Sequence, residues 1–251
     1  MGWRVMAASA TGRSHVDRGQ PCQDAHAAVC NGALLAAVVC DGAGSASHSD
    51  VGAQHVSRSV AAAVAVAPAL GHAPLAVPVD VLRPIIETAI DDARGELALL
   101  AAGRGLRLSD HACTLVGVVA DARGGWFFHV GDGVAACAFN DESADAVSLP
   151  ANGEYANETW FVTGASWRQQ LRLTRFEGPV QALVLMSDGV QPFAMTRRGD
   201  TLFQPFFAPV LRYLSAVDDV HGSQALQATL SDPRTDGITG DDKTLLIALP
   251  G

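Results

Sequence analysis

Four aspartates, each set in a tight turn of small residues at the end of an apolar run, constrain this chain more than any other feature. They are Asp41 in LLAAVVCDGAGS, Asp132 in WFFHVGDGVA, Asp188 in ALVLMSDGV and Asp241 in ITGDDKTLLIAL. Runs so rich in Val, Leu, Ile, Ala and Phe read as buried strands, and each holds a carboxylate at a sheet edge. In three of them a glycine follows at once, which permits turn dihedrals and close backbone approach. A lone Asp-Gly after a strand is usually no more than a turn. Here the turns are spread from residue 41 to residue 241, so only the fold can gather them. Gathered carboxylates repel unless a cation neutralises them, and oxygen ligands suit Mg²⁺ or Mn²⁺. Asp24 in CQDAH is a fifth candidate. Asp241 and Asp242 are neighbours, and on an extended backbone they point to opposite faces. One of the two is therefore expected at a metal.

At 251 residues the chain can form one large domain or two small ones. With 49% hydrophobic residues it is not a disordered chain. A net charge of −9 argues against a nucleic-acid or anionic-membrane binder and leaves a basic protein substrate compatible. No apolar run approaches the ~18 residues of a membrane helix. The start MGWRVMAASATGRSH lacks the basic-then-apolar layout of a signal peptide, and Met6 spoils a myristoylation context. Cys22, Cys30, Cys40, Cys113 and Cys137 are odd in number and form no CxxC pair, which points to a reduced, cytoplasmic protein.

Periodicity organises the chain. Strands are expected at 3–9, 25–29 and 33–40. Val51, Val56, Val60, Ala63 and Ala67 then mark one face of a helix, with Ser49 or Asp50 as its cap. After a Pro-, Gly- and Ala-rich link at 68–78, Leu82, Ile86, Ile90, Ala93, Leu97 and Leu100 recur at helical spacing, Asp80 capping and Pro84 near the first turn. The two helices should pack as an antiparallel pair. Strands return at 112–120, 126–130, 134–139 and 146–149. A polar stretch at 150–163 follows, then strands at 170–176 and 180–186, helices at 188–195, 205–217 and 223–230, and a strand at 243–249. This order is α+β, most simply two packed antiparallel sheets with helices outside. No linker divides the chain, so 1–251 reads as one domain.

The series QDAH, VVCDGAGS, ACTLVGVV, HVGDGV, LMSDGV and GDDKTLLIA, in that order, resembles the metal-dependent protein phosphatase 2C family. The likeness runs from Gly12 to Leu249 and is closest to a compact bacterial branch, with SHVDRGQPCQD and GEYANETWF as its further marks. The resemblance implies an α-β-β-α sandwich of two antiparallel sheets, with a site for two tight Mn²⁺ or Mg²⁺ ions and a third, weaker position at one end. It implies hydrolysis of phosphoserine and phosphothreonine in proteins, and so a phosphorylated protein substrate and a cognate Ser/Thr kinase as partners. Carried onto this chain, it makes Asp41 the bridging ligand, with the Gly42 carbonyl, Asp188 and Asp241 completing the pair. Asp132 with Asp188 would form the third position, and Asp24 would order waters in the outer shell. Such a cation pair activates a water and screens the phosphoryl oxygens.

Departures from the family pattern are specific. Gln23 stands where an acidic residue usually precedes Asp24. Ala43 stands where many members carry a histidine proposed as a general acid. Arg18 is the nearest candidate for the phosphate-binding arginine, one residue out of the commoner spacing. The flap at 152–166 is short. His15 and His129 could relay protons, although satisfied structural histidines are commoner. Cys40 reads as a buried small hydrophobe, Trp160 and Phe161 as pins for the flap, and Arg197 and Arg198 as a solvated face. Two other readings stay open. One is a non-catalytic module of the same fold that binds a phosphorylated partner, whose mark would be loss of the metal aspartates. The other is a two-metal phosphodiesterase or nuclease, which suits the carboxylates but neither the motif order nor the acidic charge.

Overall fold

Side chains alternate between the two faces of a strand, so a strand buried on both faces is apolar at every position. The computed structural model describes residues 2–71, 73–141, 144–149 and 159–251. Its strands are β1 (Trp3–Ala10), β2 (Ala25–Asn31), β3 (Leu34–Cys40), β4 (Leu115–Asp121), β5 (Gly124–Val130), β6 (Val134–Phe139), β7 (Ala146–Ser148), β8 (Arg172–Glu177), β9 (Val180–Met186) and β10 (Lys243–Pro250). Six of them, β3, β4, β5, β6, β9 and β10, are buried almost throughout, while β1, β2, β7 and β8 are more open. The helices are α1 (Arg13–Val16), α2 (Ser49–Ala65), α3 (Val79–Ala102), α4 (Trp167–Gln170), α5 (Gln191–Ala194), α6 (Gln204–Ala216), α7 (Asp219–Leu230) and α8 (Pro233–Asp236). One sheet runs β1-β10-β9-β6-β7 and the other β2-β3-β4-β5-β8, with every pairing antiparallel.

The side chains of β3 show how the layers stack. Leu34, Ala36, Val38 and Cys40 meet Val56, Val60 and Val64 of α2 and Leu82, Ile86, Ile90 and Leu97 of α3. Leu35, Ala37 and Val39 turn the other way, onto Leu183, Leu185, Leu246 and Ala248 of the facing sheet. The outer face of that sheet, through Met6, Met186 and Ile247, packs on Phe207 and Leu214 of α6 and Leu226 and Leu230 of α7. The result is the α-β-β-α order expected from the sequence. The α2 and α3 chains run in opposite directions: Ser59 hydrogen-bonds Glu96, while Ala67 shares a groove with Pro84 and Ile85. No helix of the described residues is long and apolar enough to cross a membrane.

Several expected boundaries move, each for a local reason. Neither Ser49, Asp50 nor Asp80 caps its helix through a side chain. The N-cap positions belong to His48 and Pro78, and Asp50 and Asp80 sit within the first turn, where a carboxylate favours the helix N-terminus. The ladder of β4 starts at Leu115 rather than 112; Thr114 instead meets the turn of Asp41, its hydroxyl accepting from the Asp41 N–H. A single helical turn, α4, occupies the expected start of the strand at 170. The expected helix at 188–195 splits into a 3-10 turn, Asp188–Val190, and α5, where Pro192 removes a donor in the first turn. The 152–158 part of the 152–166 flap lies outside the described residues. Its described end is held by Trp167, 1% exposed and flanked by the guanidinium groups of Arg94 and Arg168 at 5.7 and 4.7 Å from its ring centre. Trp160 also packs on the helix-side core, whereas Phe161 lines the cleft described below instead of serving as a pin.

Phe127, fully buried between the sheets, stacks on Phe176 with ring centres 4.3 Å apart. Replacing it by alanine removes contacts from both sheets and leaves a cavity that rigid strands cannot close. Phe127→Ala is expected to lower unfolding stability by ~3–5 kcal/mol, measured by urea unfolding of the purified protein.

Candidate metal centre

Each candidate carboxylate reaches the same end of the sandwich because its strand starts or stops there. Asp24 precedes β2, Asp41 follows β3, Asp132 sits in the β5–β6 turn, Asp188 opens the 3-10 turn after β9, and Asp241 lies just ahead of β10. Past the ladder, β3 and β4 stay joined by side chain and backbone. The Asp41 N–H donates to Thr114 Oγ1 at 3.0 Å and the Thr114 N–H to the Asp41 carbonyl at 2.8 Å. Two glycines allow the other turns to close in. At Gly131, φ is +114° and a Cβ would lie 2.6 Å from that of Thr114. At Gly189 a Cβ would lie 1.9 Å from the Asp242 carbonyl oxygen.

Asp41, Asp132 and Asp188 each offer a carboxylate oxygen, and these atoms lie within 4.8 Å of one another. They form the floor of an open cleft of about 520 Å³, which Gly42, Ala43, His15, Arg18 and Asp241 also line. Asp241 is exposed and stands at the cleft wall, outside the close trio. Asp242 turns away from the cleft, as the alternation of neighbours requires. Its Oδ1 accepts from the Gly12 N–H at 2.6 Å and its Oδ2 from the Gln23 N–H at 2.5 Å, with His15 Nδ1 at 2.9 Å. This buried carboxylate ties the loop before β2 and the turn α1 to the start of β10. Lys243 beside it is fully buried and reaches Asp236 at 2.7 Å, which fixes α8 to the same strand.

Crowded negative charge raises the carboxyl groups. Burial, with Asp242 and Asp188 nearby, pushes Asp24 from an ordinary 3.8 to about 7, against the Ser187 hydroxyl that donates to its Oδ2 at 2.6 Å. Burial, then the charges of Asp24 and Asp188, holds Asp41 well above its ordinary value. Burial, with Asp132 and Asp241, lifts Asp188 to about 6. These groups resist ionising together. The donor set also fits a cation in a second way. Oδ1 of Asp24, of Asp132 and of Asp188 are buried and have no hydrogen-bond partner among the described residues. Buried polar atoms are ordinarily paired; Asp132 and Asp188 belong to the close trio, where unpaired carboxylate oxygens suit a hard divalent ion.

The structure thus brings Asp41, Asp132, Asp188, Asp241 and Gly42 to one cleft, sets Asp24 behind its floor, and puts Arg18 at the exposed mouth. Sequence reasoning missed the hydroxyl and amide shell. Thr159 donates to Asp132 Oδ2 at 2.7 Å, Gln191 donates to the Asp132 carbonyl at 2.6 Å, and Ser187 joins Asp24 to the Thr244 N–H. Ser187 was readable as the residue before Asp188, whereas Thr159 and Gln191 reach Asp132 only through the fold. His129 is buried away from the cleft. Burial and the Arg172 charge push it down to about 3, and Arg172 lies 3.0 Å from its Nδ1. Cys40 is fully buried in the helix-side core, and Arg197 and Arg198 are exposed.

Fold and site define an α-β-β-α protein with a carboxylate-lined cleft at the ends of its strands. The chain belongs to the protein phosphatase 2C family, whose profile, described as "Protein phosphatase 2C", matches residues 11–231. It is 31% identical over 257 residues to "Serine/threonine-protein phosphatase 3" of Escherichia coli (strain K12), covering 99% of each chain. Among solved structures, the S. agalactiae serine/threonine phosphatase matches with a TM-score of 0.66 at 15% identity, over 99% of this chain and 100% of that one. Serine/threonine phosphatase Stp1 from Staphylococcus aureus matches with a TM-score of 0.59 at 16% identity, over 98% and 94%. At these identities the solved structures share the fold.

The raised carboxyls make stability depend on pH. An aspartate whose folded value exceeds its unfolded value binds more protons when folded, so its contribution is full at low pH and is lost as pH rises through the folded value. With Asp24 at about 7 and Asp188 at about 6, both from 3.8, the loss falls between about pH 4 and pH 7. The chelator-treated protein should melt at falling temperatures across that window, at ~2–4 °C per kcal/mol. Saturating Mg²⁺ should remove the fall. Thermal melts with and without Mg²⁺ check this, and a flat or rising metal-free profile contradicts it.

Proposed function

We propose that this chain is a divalent-cation-dependent phosphatase that hydrolyses phosphoserine and phosphothreonine esters in proteins. The observation that carries it is the convergence of Asp41, Asp132 and Asp188 on one point of an open cleft in a chain of the protein phosphatase 2C family. Asp41 would bridge two Mn²⁺ or Mg²⁺ ions, with Asp188, Asp241 and the Gly42 carbonyl as further ligands. Asp132 and Asp188 would share a third, weaker position. When bound, such cations supply Lewis acidity: they neutralise the carboxylates, draw charge from the phosphoryl oxygens and acidify a water.

The protein's own residues do the rest. Asp24, with its unpaired Oδ1 behind the floor, orders water around the ions. Arg18, exposed at the mouth, offers planar donors to a phosphoryl group. The rigid sandwich holds these groups in place, so the reactants meet in a fixed geometry. Phosphorylated proteins are the substrate class, with a Ser/Thr kinase as functional counterpart. The three apolar layers share the same pair of sheets, which supports reading 1–251 as one domain. Five free cysteines support a reducing, cytoplasmic setting. A non-catalytic phosphopeptide-binding module would not need this set of converging carboxylates, and nothing in the cleft favours it.

Asp41→Asn removes a bridging charge while keeping the turn. It should lower phosphate release from a phosphoserine peptide by at least ~10²-fold, while melting of the metal-free variant rises because one repelling carboxylate is gone. Full activity at low Mn²⁺ would overturn the assignment. Asp132 has fewer protein contacts for a cation, so its position should fill last. Activity is expected to rise with Mn²⁺ in two phases, and Asp132→Ala should abolish the second phase while the first remains. Phosphate release across a Mn²⁺ titration reads both. A binding module would release no phosphate at any concentration.

A further inference from the structure

We propose that His15 is the catalytic acid that protonates the departing serine or threonine oxygen. The proposal rests on the phosphatase reading of the cleft. An alkoxide is a poor leaving group, so cleavage of a phosphoserine ester calls for a proton donor at the bridging oxygen. The side chains lining the cleft offer few. The hydroxyls of Ser14, Thr114, Thr159 and Thr239 and the guanidinium of Arg18 hold their protons too tightly to give them up near neutral pH. The carboxylates there are the cation ligands, and Ala43 brings only a methyl group. Among the described lining residues His15 alone carries an imidazole, the side chain suited by its chemistry to proton transfer near neutral pH.

The position of His15 is fixed by the fold. The residue is only 4% exposed yet reaches the cleft. Its Nδ1 lies 2.9 Å from Asp242 Oδ2, on the carboxylate that also accepts from the N–H groups of Gly12 and Gln23. The preceding residue is anchored too, because the Ser14 N–H donates to the Gly240 carbonyl at 2.9 Å. Nδ1 lies at ion-pair distance from a buried carboxylate but out of line for a hydrogen bond, so the proton transfer is given to Nε2. A histidine oriented by a carboxylate in this way suits proton transfer better than a free surface ring. His129, the other buried candidate, takes no part, being away from the cleft and held neutral beside Arg172.

The step balances. The oxygen of a water forms a bond to phosphorus as the ester P–O bond breaks. The proton on His15 Nε2 passes to the leaving oxygen and yields the serine hydroxyl. The attacking water gives up one proton to solvent, and the ring takes one back through the open mouth of the cleft. The sum is ester plus water to alcohol plus phosphate.

Kinetics of His15→Asn at saturating Mn²⁺ test the assignment, because the asparagine amide keeps a donor near the place of Nδ1. Two substrates are compared: a phosphoserine peptide and p-nitrophenyl phosphate, whose aryl leaving group departs without a proton. The expected result is a loss of ~10²-fold in kcat on the peptide with less than about threefold loss on the aryl ester. Equal losses on both substrates, or no loss on the peptide, would overturn the proposal. Retained aryl turnover shows that the fold and the ions are intact. Should the variant not fold, the wild type decides through a series of phosphate esters of graded leaving-group acidity. A shallow dependence of kcat supports a proton donor, and a steep one rejects it. Failure of the phosphatase reading itself would look different: the wild type would turn over neither substrate.

Discussion

Repulsion among carboxylates gathered at one end of the sandwich is the interaction on which the rest of this structure depends. Asp41, Asp132 and Asp188 place oxygens within 4.8 Å of one another, with Asp24 buried behind them and Asp241 at the wall. Left alone, such a cluster favours protonation and costs stability. It persists because strands packed on both faces cannot splay apart without opening the layers between sheets and helices. The apolar sandwich therefore supplies the rigidity and the cleft supplies the charge. In the proposed function a divalent cation would reconcile them.

A second layer of polar contacts turns that repulsion into a shaped site. Thr114 and Thr159 fix the backbone of Asp41 and the side chain of Asp132, and Ser187 holds Asp24 to the β10 backbone. Asp242 does the same for the opposite wall, drawing Gly12, Gln23 and His15 onto one buried carboxylate. Because these partners come from segments far apart in the chain, the cleft depends on the whole fold rather than on any local motif. The same clamp that orients the wall also orients His15, so architecture and proton chemistry share one residue.

Much of this was legible in the sequence. The apolar runs ending in Asp-Gly turns identified strands and site together, since a strand buried on both faces carries an unbroken apolar signal. Extended-backbone alternation anticipated the opposite facing of Asp241 and Asp242, although both precede β10, Asp241 in a bend. What was not legible depended on pairing between distant segments. Thr159 meets Asp132, 27 residues earlier, only through the tertiary fold, and Trp167 becomes an anchor only when Arg94 of α3 lies beside it. The buried role of His15 required knowing where the Asp242 carboxylate points. Helix caps failed for a different reason: Pro78 and His48 occupy those positions through backbone conformation, without the side-chain bonds that a sequence pattern implies.

The most direct test of the account is calorimetric titration of Mn²⁺ into the metal-free protein at pH 6, in buffers of different ionisation enthalpy. Asp24 and Asp188, raised to about 7 and about 6 chiefly by burial with neighbouring carboxylates, are partly protonated at that pH, and a cation bound at Asp188 or beside Asp24 favours loss of those protons. The account predicts tight binding with a heat that varies with the buffer, reporting net proton release that shrinks by pH 8. Binding with a buffer-independent heat at pH 6, or no binding at all, would contradict it.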